Sequence, residues 1–203
     1  MIRVPEWWSS DVSRETLEKL TAYAELVRKW TPKINLIAKS TIDDLETRHI
    51  WDSAQVFVSR SGAWADLGSG GGLPGIVIAI LRQSMGTDTR VTLVESDQRK
   101  STFLRTCGRE LDLDVSVIAH RVETIDPLQA DTISARALAP LDQLLGLASP
   151  HLAANGVCLF QKGAQWRDEI TAAEENWRFS WTAKPSKTNA EAIVLELKDI
   201  TRV

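Results

Sequence analysis

The sequence predicts an α/β fold: a doubly wound, mostly parallel sheet with an N-terminal helical cap and a C-terminal antiparallel strand. Three observations carry this. A short apolar run, Trp64 to Leu67, ends in a glycine-rich turn that leads into an apolar helix. From Gly62 onward strand-like and helix-like segments alternate, which places helices on both faces of a parallel sheet. The stretch from Ala192 to Lys198 instead alternates apolar and charged residues, as an antiparallel strand with one wet face does.

Each element follows from local pattern. Asp11 to Trp30 reads as a helix because Leu17, Leu20, Ala24, Val27 and Trp30 recur at three- and four-residue steps. Asp11 or Ser13 is available to cap it, and Pro32 is expected to stop it. Thr41 opens a second helix, with Asp44 three residues on as a variant capping box, running to about Ser59. Residues 1–61 are therefore expected to form the cap and 62–203 the core, in one compact unit. Within the core, strands are expected at 64–67, 90–95, 114–119, 131–135 and 157–161, with helices at 73–84, 97–111, 140–153 and 164–176. Pro74 suits the first turn of its helix, where no backbone N–H is needed. Residues 178–183 are the expected hairpin partner of the last strand, across a loop at 184–191.

With 203 residues, 43% hydrophobic and 25% charged, the chain has the composition of an ordinary globular domain. No apolar run reaches transmembrane length and the start lacks a signal pattern, so a cytoplasmic protein is expected. Cys107 and Cys158 read as buried thiols, and the histidines at 49, 120 and 151 have no zinc-ligand spacing, so no metal is expected. A net charge of −3 excludes a general positive field for nucleic acid. Local basic series do occur: Arg28, Lys29, Lys33 and Lys39 around Trp30, and Arg99, Lys100, Arg105 and Arg109 on one helix. Such series also serve simply as solvated faces.

The glycine turn carries the chemistry. Glycines at 68, 70, 71, 72 and 75 let the backbone approach a ligand closely, and the following helix N-terminus completes a nucleotide-type cradle. Asp66 precedes the first glycine and would repel a pyrophosphate, whereas the sulfonium and ammonium groups of S-adenosylmethionine favour a carboxylate there. Glu95, 29 residues on and at the end of the next strand, is placed to accept hydrogen bonds from both hydroxyls of a ribose. The residues alone thus point to an S-adenosyl-L-methionine-dependent methyltransferase with a Rossmann-like sheet. Arg48, His49 and Asp52 share one predicted helix face, either as a hydrogen-bond network tying cap to sheet or as a wall of a pocket.

Several separate motifs then fall in one order. They are Trp30-Thr-Pro-Lys-Ile-Asn-Leu36, Arg48-His49-Ile-Trp-Asp52-Ser53, the loop Asp-Leu-Gly-Ser-Gly-Gly-Gly-Leu-Pro-Gly, Arg121-Val-Glu123, Ser134-Ala-Arg136-Ala and Phe160-Gln-Lys162-Gly163. From about Leu20 to Lys198 the chain resembles the bacterial RsmG (GidB) family of 16S rRNA methyltransferases. The resemblance implies methylation of a guanine N7, guanine 527 of the decoding-site loop, in 16S ribosomal RNA or the small subunit. It implies cofactor contacts at Gly68 and Leu73, at Val122 and Glu123 beside the adenine, and at Arg136 beside the methionine end, in addition to Asp66 and Glu95. Thr31 stands where the family usually has asparagine, which touches only the cap.

Guanine N7 is a lone-pair acceptor without a proton, so its attack on a sulfonium methyl needs no general base. No firm catalytic acid or base is therefore assigned. Arg136 and Lys162 are the positioning candidates, through guanine O6 or a phosphate, and Trp30 or Trp51 could stack on an unstacked base. Two other readings stay open: a nicotinamide-dependent oxidoreductase, disfavoured by Asp66 and by the glycine spacing, and a non-catalytic RNA-binding or assembly factor of the same fold. The oligomeric state is not legible, although a monomer is expected.

Overall fold

The computed structural model describes residues 1–9, 11–86 and 90–203. Its strands are β1 Trp64–Leu67, β2 Val91–Val94, β3 Val115–Ile118, β4 Ala130–Arg136, β5 Leu152–Lys162, β6 Trp177–Pro185 and β7 Ile193–Arg202. They form one seven-stranded sheet in the order β3-β2-β1-β4-β5-β7-β6. The first five are parallel, while β7 pairs antiparallel with both β5 and β6. The order reverses between β1 and β4, and such a switch point opens a crevice at the carboxyl ends of the strands.

The helices are α1 Arg14–Ile34, α2 Asp52–Ala54, α3 Gly75–Ser84, α4 Gln98–Glu110, α5 Leu141–Ala148 and α6 Trp166–Ala173. Two apolar clusters hold the layers. Leu20, Tyr23 and Val27 of α1 share one with Ile76 and Ile80 of α3 and with Phe103 and Leu104 of α4. On the opposite face Leu141, Leu145 and Ile170 pack with Ile133, Phe160 and Leu195.

The predicted core elements are all present, with shifted ends. β5 is longer than expected, and the helix before it stops at Ala148 and passes through a short 3₁₀ turn, Ser149–His151. The cap departs further. Pro32 does not stop α1, which runs on to Ile34 and ends where Asn35 takes a left-handed conformation (φ 52°) and donates to Thr31 O. Pro32 lies exposed in the last turn, so its ring meets solvent and only one late backbone bond is lost. Ser13, not Asp11, caps the start, accepting from the Thr16 amide at 3.1 Å.

The expected second helix breaks into a 3₁₀ turn, Lys39–Thr41, a π-helical turn, Glu46–Trp51, and α2. Thr41 does not cap through Asp44. Its hydroxyl bonds Ala38 O at 2.8 Å and His49 Nε2 at 2.7 Å, and such side-chain bonds compete with helix formation.

Candidate active site

β1 ends at Leu67, and the chain then turns through the glycine loop to Pro74, which caps α3. Gly68, Gly70 and Gly72 all have positive φ (65°, 55° and 86°), where a side chain is strained. Three anchors hold this loop. The Ser69 amide donates to Val94 O on the neighbouring strand at 3.0 Å. The Gly70 amide donates to Glu95 Oε2 at 2.8 Å. The hydroxyl of Tyr23, reaching across from α1, donates to Gly71 O at 2.5 Å.

Asp66 lies beneath the loop. It is fully buried; Oδ1 accepts from Ser134 Oγ at 2.7 Å and Oδ2 from the Gly75 amide at the start of α3 at 3.1 Å. Trp64 Nε1 donates in turn to Ser134 Oγ at 3.0 Å. Burial pushes the Asp66 carboxyl up to about 6, against the opposing pull of its bonds from Ser134, Ser69 and Gly75. Asp66, expected to contact the cofactor, directs its carboxylate to these bonds and is not among the residues that line the crevice above the loop. Every bond it makes runs inward, because a strand-end carboxylate below a helix N-terminus is drawn to the amide above it.

Above the loop lies a crevice of about 370 Å³, within the range of small-molecule sites. Gly68, Leu73, Glu95, Val122, Glu123 and Arg136 all line it. Glu95 is buried, and its second oxygen accepts from the Asp97 amide at 2.8 Å, so the carboxylate is held from two sides. Val122 opens a 3₁₀ turn whose carbonyl accepts from His151 Nε2 at 3.1 Å.

A second cavity of about 480 Å³ adjoins the crevice, and Arg136, Ala137 and Leu138 line both. Ala137 turns the chain at this seam with a positive φ of 52°. Lys162 lines the second cavity together with Asp52, Gln161 and Glu169.

Arg136 is fixed by the cap. Nη1 stands 3.4 Å from Asp52 Oδ2, and Nη2 is 3.3 Å from His49 Nδ1. Asp52 also accepts from Gln161 Nε2 at 2.6 Å and from Thr188 Oγ1 at 2.6 Å. Of the predicted trio, His49 and Asp52 meet Arg136, whereas Arg48 is exposed. Because Arg136 donates to Nδ1, the His49 proton sits on Nε2 and donates to Thr41. Burial, and then the nearby Arg136 charge, push His49 down to about 4, so it is neutral at pH 7.

The two tryptophans that could stack on a base both pack against other rings, Trp51 buried and Trp30 half-buried. Trp51 is buried against Trp8 at 5.5 Å between ring centroids, and Trp30 lies 5.6 Å from Phe103. Cys107 and Cys158 are buried free thiols, both pushed up by burial. In the basic series, Arg28 pairs with Glu25 and Glu46, and Arg99 with Asp97. Among the described residues no cluster could hold a metal ion.

Comparison with known proteins places this geometry. The sequence model of the GidB family, rRNA small subunit methyltransferase G, matches residues 16–193. The chain belongs to this family. It is 51% identical over 195 residues to the ribosomal RNA small subunit methyltransferase G of Ruegeria sp. (strain TM1040), covering 95% of each chain. To that of Cereibacter sphaeroides (strain ATCC 17025 / ATH 2.4.3) it is 54% identical, covering 95% of this chain and 94% of the relative. Among solved structures, M. jannaschii TYW2 in complex with AdoMet superposes with a TM-score of 0.56 at 13% identity, over 82% of this chain and 78% of that one. The ribosomal protein L11 methylase of Lactobacillus delbrueckii subsp. bulgaricus gives 0.55 at 19% identity, over 75% and 76%. At such identities these structures bear on the fold alone, and they share it.

Tyr23, His151 and Glu169 are site residues that the sequence reading missed. Tyr23 lies three residues after Leu20 and four before Val27, on the stripe already assigned to the core. That spacing was the available signal. His151 reaches the site through a bond to Val122, 29 residues away, and Glu169 through its bond to the Leu141 amide, 28 residues away, as well as its pair with Lys162.

Proposed function

We propose that the chain transfers the methyl group of S-adenosyl-L-methionine to N7 of a guanine in 16S rRNA, guanine 527 of the decoding-site loop. The observation that carries this reading is the seam at Arg136, which lines both a nucleoside-sized crevice and an adjoining cavity that also presents Lys162 and Gln161. Family membership supports the same conclusion.

The crevice suits the donor. A Cβ on Gly70 would meet only Gly68 O, at 3.8 Å, so the loop leaves open space above itself. Each Glu95 oxygen accepts one backbone bond and keeps lone-pair capacity for a ribose hydroxyl. Leu73 offers an apolar wall, Gly68 its backbone, Val122 and Glu123 a turn beside the adenine, and Arg136 a group at the methionine end. Asp66 acts from below, by fixing the N-terminus of α3.

When bound, the donor supplies an electrophilic sulfonium methyl. The protein's own task is alignment: Arg136, clamped by Asp52 and His49, orients the purine so that N7 faces the crevice. Lys162 supplies a second donor within the adjoining cavity. A proton acceptor is unnecessary because N7 carries no proton. Catalysis then rests on in-line placement and on a field suited to charge moving from sulfur to purine.

The partner is 16S rRNA or the small subunit, and the setting is the cytoplasm, with the chain acting as a monomer. No helix among the described residues is long and apolar enough to cross a membrane. Cap (1–61) and core (62–203) work as one body, a reading supported by their shared apolar cluster and by the Tyr23–Gly71 bond. Mapping modified nucleotides in small-subunit RNA from cells with and without the chain tests the proposal. One N7-methylguanine should vanish from the decoding-site loop on deletion; an unchanged map would overturn it.

A further inference from the structure

The ion pair of Lys162 and Glu169 has bonding capacity that alignment alone does not use. Lys162 closes β5 and is 8% exposed. Its Nζ donates to Ala139 O at 3.0 Å and forms an ion pair with Glu169 Oε2 at 2.5 Å. An ammonium has three hydrogens, so one remains uncommitted. Glu169, in the first turn of α6, uses the same Oε2 to accept from the Leu141 amide at 2.8 Å. Its Oε1 takes part in no bond with another described group.

Asp52, the other carboxylate lining this cavity, is saturated. Oδ1 accepts from Thr188 at 2.6 Å and Gln55 at 3.3 Å, while Oδ2 accepts from Gln161 at 2.6 Å and Arg136 at 3.4 Å. Among the described residues that line this cavity, the Lys162–Glu169 pair thus sets an open donor beside an open carboxylate oxygen, and the neighbouring Gln161 Oε1 is a further acceptor without a partner.

We propose that this pair reads the target base, with Lys162 donating to guanine O6 and Glu169 Oε1 accepting from N1–H. The proposal rests on the guanine methyltransferase reading above. Guanine presents an acceptor, O6, beside a donor, N1–H; adenine presents the reverse, so the pair selects for one purine and against the other. O6 neighbours N7 on the ring, so a guanine held this way keeps N7 toward the seam at Arg136.

The test measures methyl transfer by the full chain to small subunits carrying guanine or 2-aminopurine at the target position. 2-Aminopurine keeps N7 and the ring shape but lacks O6 and N1–H. The wild-type protein should lose about 100-fold or more in kcat/KM on the analogue, because the site's polar groups are left unpaired. In Glu169→Gln the amide oxygen can keep the Leu141 bond, while the amide nitrogen puts a donor where the open oxygen was. Its guanine/2-aminopurine ratio should fall about tenfold or more, with affinity for S-adenosylmethionine unchanged. A variant that binds the donor normally and keeps the wild-type ratio overturns the proposal. Should the variant fail to fold, the wild-type ratio decides: a value within about twofold of unity also overturns it. Absence of transfer to guanine particles by the wild-type protein would instead remove the methyltransferase reading itself.

Discussion

Arg136 Nη1 lies 3.4 Å from Asp52 Oδ2, with both side chains largely shielded from water. The pair joins the end of β4 to the cap and sets the guanidinium at the seam of the two cavities. Removing one partner leaves the other charge partly buried and alone. Asp52→Ala should therefore cost about 3 kcal/mol in urea unfolding. It should lower kcat for methyl transfer more than it weakens donor binding. Full kcat in a folded variant would separate the pair from catalysis.

His49 makes the cap sensitive to pH. Its folded-state value of about 4 lies below the ordinary 6.5, so the native state binds fewer protons in that interval. The stability it contributes is complete above about pH 6.5 and is lost as pH falls toward 4. Asp66 titrates with the opposite sign: raised from 3.8 to about 6, it favours the fold as pH falls through that range. The two effects partly cancel in the wild type, so the difference from His49→Gln isolates the histidine. Between pH 7.5 and 5 the wild type should lose about 1 kcal/mol relative to that variant, allowing for water at the ring. Parallel unfolding curves for the two proteins at both pH values would refute the assignment.

The Tyr23 hydroxyl is the tie from α1 to the glycine loop. Tyr23→Phe removes it and leaves a buried carbonyl unsatisfied, at a cost of about 1–2 kcal/mol. Because the lost bond holds the floor of the crevice, calorimetry should also show several-fold weaker donor binding. Unaltered affinity would mean that the loop keeps its shape without the cap.

Two glycines in the loop should respond differently to alanine. At Gly75 a Cβ would approach Asp66 Oδ2 to 2.6 Å and Leu93 Cδ2 to 2.4 Å, in a place with no room to yield. Gly75→Ala should cost about 2–3 kcal/mol. At Gly70 the Cβ has space but φ is +55°, so Gly70→Ala should cost only about 1 kcal/mol. Its larger effect should be on binding, since the methyl group enters the crevice. Thermal melts and donor titrations of both variants check this ordering.

Local pattern was enough for the sheet. β1 falls at 64–67 as expected, because an apolar run followed by glycine leaves no alternative boundary. It was insufficient in the cap, where Thr41 bonds to His49 eight residues away and Pro32 sits harmlessly in a solvent-facing last turn. In the site, Gly68, Leu73, Glu95, Val122, Glu123 and Arg136 reach one crevice because Arg136 ends its strand and the others follow strand ends. Asp66 has the right residue type but turns inward to the Gly75 amide, which spacing alone does not reveal. Glu169 is legible only after α6 has packed against α5, since its partner Leu141 is 28 residues away and Lys162, though only seven residues off, lies on a different element.

Calorimetric titration of the purified chain with S-adenosylmethionine and with NAD, repeated on Glu95→Ala, bears most directly on the central claim. The account predicts binding of the methyl donor, none of NAD, and a loss of about tenfold or more in donor affinity without the carboxylate. Tight binding of NAD with no response to S-adenosylmethionine would contradict it.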